Sequence, residues 1–89
     1  MDERIAELRE LIAQACDLAP ERVAALGVEE PIVGPESPLG LDSLDALEIV
    51  TAVQRRYGVR IDSQNTSLRV LASLRALAQF IDEQTGAGA

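Results

Sequence analysis

The chain has 89 residues, 47% of them hydrophobic and 26% charged, and carries a net charge of −7, the profile of one small soluble globular domain rather than a disordered or membrane-spanning chain. That acidic balance argues against nucleic acid and anionic lipid surfaces as partners, because each such contact needs a basic group to displace counterions. With no histidine and Cys16 as the lone cysteine, no metal site, no internal disulfide and no Ser/His or Cys/His nucleophile pair is expected.

From the N-terminus, MDERIAEL lacks the basic-then-apolar order of a signal peptide, so a cytoplasmic chain is expected. Ile5, Leu8, Leu11, Ile12 and Ala15 recur at three- and four-residue spacing, which predicts an amphipathic helix over 3–18 with Asp2 as its cap. Pro20 suits the first position of a short helical turn through Arg22, Val23 and Leu26, and Gly27 suits a left-handed end to it. Residues 28–41, VEEPIVGPESPLGL, hold three prolines and two glycines, a long loop that Ile32, Val33, Leu39 and Leu41 pin onto the core.

From Ser43 to Tyr57 the apolar positions Leu44, Leu47, Val50, Val53 and Tyr57 step at helical spacing, with Arg55 and Arg56 in the last turn and Gly58 after it. Val59 and Ile61 form a short extended link, residues 62–69 a brief helix, and Ser73 caps a final helix that buries Leu74, Leu77, Ala78 and Ile81. The expected fold is all-α: a small bundle of three longer helices and one or two short ones, forming a single domain over 1–84 with a flexible tail over 85–89. Only Tyr57 and Phe80 are aromatic, which leaves an aliphatic core of the kind that repacks readily around a linear apolar guest.

The charge is unevenly placed. Between Val23 and Gln54 the acids Glu29, Glu30, Glu36, Asp42, Asp45 and Glu48 meet no basic residue, whereas Arg55 to Arg75 contains five arginines against Asp62. At the centre of the acidic half, Gly40-Leu41-Asp42-Ser43-Leu44-Asp45-Ala46-Leu47-Glu48 places a hydroxyl where a structured loop meets a helix N-terminus. Unpaired N–H groups there favour an anion, such as a phosphate ester on Ser43. Taken alone, the same residues read first as capping groups, with Ser43 or Asp42 as the cap and Asp42/Asp45 or Asp45/Glu48 pairing locally. Ser43 is no hydrolytic nucleophile, since a serine needs an adjacent base and the chain has no histidine.

The run GLDSLDALEIVTAVQRRYGVRI resembles the attachment motif and recognition helix of acyl carrier proteins, with Ser43 in place of the modified serine of an Asp-Ser-Leu triplet. The resemblance extends over residues 3–84 in the order of the elements. It implies a non-catalytic carrier bearing covalent 4′-phosphopantetheine from coenzyme A on Ser43, and acyl groups carried as thioesters in fatty-acid or polyketide-type biosynthesis. Implied partners are a phosphopantetheinyl transferase, an acyl-loading enzyme, a ketosynthase and other acyl-processing enzymes, met by a monomeric carrier. Asp42, Leu44, Asp45, Leu47 and Glu48 would dock them, the acids steering basic patches and the leucines supplying apolar contact. Asp42 directly before Ser43 favours acyl over peptidyl cargo within this resemblance. The end of the helix departs from it, because Gln54-Arg55-Arg56-Tyr57 is basic where the better-known fatty-acid carriers are acidic; the Leu39–Leu47 run is closer to carriers of specialised polyketide or aryl-polyene-like pathways.

Overall fold

A computed structural model of the chain describes residues 2–61 and 69–86. Helices α1 (Asp2–Ala15), α2 (Pro20–Ala24), α3 (Ser43–Tyr57) and α4 (Leu74–Thr85) form an all-α bundle, with no strand among the described residues. Helix α1 is the hub and packs against the other three. Three longer helices and one short one agree with the apolar periodicity. The brief helix expected over 62–69 lies almost wholly outside the described residues, although Arg69 and Val70 are helical.

Helix α1 begins at Asp2, where a cap was expected, and stops at Ala15, three residues short of the predicted end. The apolar pattern runs on to Leu18, but the backbone turns back first. Asp17 takes a left-handed conformation (φ 54°), Leu18 N–H donates to the Ala13 carbonyl at 2.8 Å, and Asp17 N–H donates to that of Gln14 at 3.4 Å. This is the paired C-terminal bonding of a Schellman motif, built with aspartate in the position that glycine occupies most easily. Two costs meet at Asp17: a Cβ in left-handed backbone, and a negative charge at the negative end of the helix dipole. Asp17→Gly is therefore expected to raise stability by about 0.5 to 1 kcal/mol after the extra chain entropy of glycine is allowed for. Thermal unfolding checks this as a rise in Tm of about 2 to 8 °C.

Pro20 opens α2 at its first turn, as its missing N–H permits. The left-handed end expected at Gly27 is absent: α2 closes through Ala25 in ordinary right-handed geometry, and Gly27 has no positive φ. What ends this helix instead is Arg9 of α1. Its Nη1 donates to the carbonyls of Val23 (2.7 Å), Ala24 (3.3 Å) and Leu26 (2.5 Å), which satisfies carbonyls that a helix end leaves orphaned.

The loop after α2 is ordered by its own residues, as the buried Ile32, Leu39 and Leu41 and half-buried Val33 indicate. Ser37, which the sequence did not single out, is buried and holds the loop together. Its Oγ donates to the Ile32 carbonyl at 2.7 Å and accepts from Leu39 N–H at 3.1 Å, and Gly34 N–H donates to the Leu41 carbonyl at 2.9 Å. Arg22 and Arg75 tie the loop to the helices, through Arg22 Nη2 to the Leu39 carbonyl at 3.2 Å and Arg75 N–H to that of Val28 at 3.1 Å.

Helix α3 buries Ala46, Ile49, Val50 and Val53, and α4 buries Leu74, Leu77, Ala78 and Ile81. The α4 face matches its prediction in full. For α3 the stripe is rotated: Leu44 and Leu47, read as steps of one apolar face, lie outside the core, and Ile49 takes their place within it. The core is aliphatic throughout, with Tyr57 and Phe80 packed half-buried against its edge. At the end of α3 remote from Ser43, Tyr57 donates to Glu7 Oε1 at 2.8 Å, and the Arg4 guanidinium lies 4.7 Å from the ring centroid while bonding Asp82 at 3.1 Å. One arginine thus joins α1, α3 and α4 at their common end. Helix α4 runs through Thr85 and is closed by left-handed Gly86.

Candidate functional site

The candidate site is the first turn of α3. Asp42 precedes it in extended backbone and is the N-cap: its Oδ1 accepts from Leu44 N–H at 3.0 Å and Asp45 N–H at 3.2 Å. Asp45 closes the box by accepting Asp42 N–H on Oδ2 at 3.1 Å. A reciprocal box of this kind satisfies donors that would otherwise need water. The capping role therefore belongs to Asp42 with Asp45, and Ser43 is the first helical residue rather than the cap. Ser43 is exposed, and its hydroxyl makes no hydrogen bond with the described residues.

This arrangement corrects one expectation. Two of the helix N–H groups that would have welcomed a phosphate are already held by a carboxylate. An anion on Ser43 would therefore find these two N–H groups already taken, with the carboxylates of Asp42 and Asp45 beside it.

Around Ser43 the α3 surface changes character in steps. Leu44 and Leu47 are 72% and 62% exposed, large apolar side chains that a lone domain gains nothing by displaying together. Glu48 is exposed beside them and has no ion pair or hydrogen bond among the described residues, so its charge is available to a partner. Further along, Thr51, Arg55 and Arg56 line a groove with Leu11 and Gln14 of α1. The structure thus brings Asp42, Leu44, Asp45, Leu47 and Glu48 to the same end of α3 as Ser43, but it gives Asp42 and Asp45 a structural task first.

Cys16 lies under this end of α3, half-buried, with its Sγ 3.9 Å from the Asp45 carbonyl oxygen. Burial, reinforced by the Asp45 and Glu48 charges, pushes its thiol up to about 11 from 9.0. Two units fewer in favour of the thiolate predict iodoacetamide alkylation at neutral pH about 100-fold slower than in an unstructured peptide. The sign for stability follows: both states are protonated below pH 9, and the unfolded chain ionises first above it. Stability is expected to fall as pH rises from 9 to about 11, which denaturant titration across that range measures.

Among the described residues no group of three His, Cys, Asp or Glu side chains could hold a metal ion, and no helix is long and apolar enough to cross a membrane. The family model described as "Phosphopantetheine attachment site" matches residues 6–81. An acyl carrier protein of Streptomyces coelicolor is 33% identical over 88 residues, covering 94% of this chain and 91% of the relative. The chain belongs to the acyl carrier protein family. It is also 37% identical over 86 residues to a phthioceranic/hydroxyphthioceranic acid synthase of Mycobacterium tuberculosis, covering 93% of this chain. It spans 3% of that relative's length. No solved structure matches the chain.

As a member of this family the chain is a non-catalytic carrier, and the cofactor that the matched domain implies is covalent 4′-phosphopantetheine. The residues present fit such a group: an exposed, uncommitted hydroxyl borders a cleft formed with Gly34, Pro35, Gly40, Leu41 and Asp42. Sequence reasoning missed Ser37, which shapes that cleft, and Ile49, which seats α3. A serine inside a Pro/Gly loop is a known local bonding signal, and Ile49 lies three residues after Ala46 on the face that is in fact buried.

Proposed function

We propose that Ser43 is the attachment point, and that Leu44, Leu47 and Glu48, with the outer sides of Asp42 and Asp45, form the surface on which partner enzymes dock. The observation that carries this reading is the freedom of the Ser43 hydroxyl: the helix is capped without it, so its modification removes no bond that the fold uses. When attached, the group supplies a terminal thiol that holds acyl chains as thioesters, which are activated towards acyl transfer. The protein's own residues hold the tether at a fixed place, the rigid first turn of a capped helix, and keep the surrounding charge negative. The chain has no histidine, and no described side chain bonds the Ser43 hydroxyl, so removal of its proton falls to the transferase.

Glu48 and the outward faces of the two aspartates steer basic patches, and Leu44 and Leu47 enter the apolar centre of the contact. Ketosynthase and loading enzyme belong among these partners, and the carrier acts as a cytoplasmic monomer, its domain extending past the expected end at residue 84 to the cap of α4 at Gly86. Its identity with a synthase segment and its Leu39–Leu47 run favour polyketide-type cargo. Incubation with coenzyme A, magnesium and a broad-specificity phosphopantetheinyl transferase, followed by intact mass and peptide mapping, tests the assignment. A gain of one phosphopantetheine on Ser43 is expected. No gain, with a control carrier modified alongside, would leave a helical adaptor without an arm.

A further inference from the structure

Two N–H groups of the helix end are taken by Asp42, and the loop beside Ser43 offers an open cleft whose lining is uncharged except for Asp42. Four of the six residues around the cleft are Gly34, Pro35, Gly40 and Leu41, none of them charged, while the other direction along α3 leads past the carboxylates of Asp45 and Glu48. A phosphodiester on Ser43 meets the carboxylates of Asp45 and Glu48 along α3, whereas the lining of the cleft carries a single charge, that of Asp42, and the exposed Glu36 of the same loop lies outside that lining. Both glycines have left-handed backbone, with φ 102° at Gly34 and 67° at Gly40, and a Cβ added at either would find no atom within 4 Å. The cleft is therefore bordered twice by backbone without a side chain, at positions where the conformation itself selects glycine.

The wall is also preorganised. Gly34 N–H bonds the Leu41 carbonyl, Ser37 N–H bonds that of Gly34, and Gly40 N–H bonds that of Ser37, at 2.9, 3.1 and 3.1 Å. The buried Ser37 hydroxyl locks the same turn from within. A surface already rigid binds an arm without the cost of ordering a loop around it.

We propose that residues 34–41 form a resting cradle for the pantetheine part of the arm, its geminal dimethyl group lying against Gly34, Pro35 and Gly40 when no partner is engaged. The cradle rests on the assignment of Ser43 as the attachment point. In this position the amide-bearing arm stays at the surface near its tether, held by apolar contact weak enough for a partner enzyme to lift it away.

Uniformly ¹⁵N,¹³C-labelled protein, modified with unlabelled coenzyme A and the transferase, provides the test by NMR. Holo minus apo amide shifts are expected to be large at Gly34, Gly40 and Leu41 as well as at residues 42–45, with nuclear Overhauser contacts from the geminal methyls to the glycine Hα protons. Gly40→Asn fills one side of the cradle with a residue that tolerates left-handed backbone. It is expected to keep the helical circular dichroism and the mass gain while losing those contacts. Shifts confined to residues 42–45 in the modified protein, or methyl contacts to α3 or the core instead, would overturn the cradle and leave the Ser43 assignment intact. Absence of any mass gain would overturn the assignment itself, and the cradle with it.

Discussion

Replacing Ser43 by alanine is expected to abolish modification completely while leaving the fold almost untouched. The hydroxyl is the sole change, and the helix keeps its cap: Asp42 still bonds the N–H groups of Leu44 and Asp45, and Asp45 still bonds Asp42. An exposed substitution outside any such feature usually shifts stability by no more than about 0.5 kcal/mol in either direction. Intact mass after incubation with coenzyme A and transferase should show no gain, beside an unfolding midpoint within a few degrees of the parent. Asp42→Ala is the converse case, because it removes the cap and leaves the hydroxyl; it is expected to cost about 1 kcal/mol and still permit modification. A Ser43→Ala variant that gained the mass would move the attachment elsewhere and end the assignment.

The second large effect separates two neighbouring aliphatic residues of α3. Ile49 is fully buried and Leu47 is 62% exposed, so the same truncation should act on different properties. Ile49→Ala loses both its transfer energy and the contacts around the cavity left behind, an expected cost of about 2 to 5 kcal/mol. For a domain whose total stability is on the order of 5 to 15 kcal/mol, that is a large fraction and can leave the variant partly unfolded at 37 °C. Leu47→Ala removes little that the fold uses and should stay within about 0.5 kcal/mol. Its loss appears instead in kcat/KM for the transferase, expected to drop about 5- to 30-fold if one apolar contact of 1 to 2 kcal/mol is made in the docked complex. Denaturant melts paired with modification kinetics read both numbers. A Leu47→Ala variant as unstable as Ile49→Ala would show that α3 buries the stripe first expected.

Much of this molecule was legible in the order of its residues. Helical spacing located α1, α3 and α4, and Ser73 before α4 was readable as the cap it proves to be, accepting from Ala76 N–H at 3.0 Å. Prolines and glycines marked the loop, and the run around Asp42-Ser43-Leu44 drew attention to the start of α3, since each is a local property that adjacent residues carry. The lateral orientation of α3 was not local. Leu44, Leu47, Ile49 and Val50 are all apolar, so two overlapping stripes fit one helical period, and packing against α1 selects between them.

The helix ends show the same division. Gly58 stops α3 in left-handed backbone with its N–H on the Gln54 carbonyl, as its type and place foretold. Asp17, by contrast, is a residue few would choose for a left-handed stop, and Arg9 caps α2 from fourteen residues earlier in the chain. Composition and periodicity by themselves determined an all-α chain with a serine hydroxyl at the start of a helix, and the resemblance of the run around it implied a carrier. The choice of Asp42 over Ser43 as the cap rests on bonds between near neighbours, so it is local although two residues could have filled the place. Tertiary structure decided which apolar face of that helix is buried and how the loop lies to open a glycine-bordered cleft beside the hydroxyl, because packing against other elements sets both and no local pattern contains those energies.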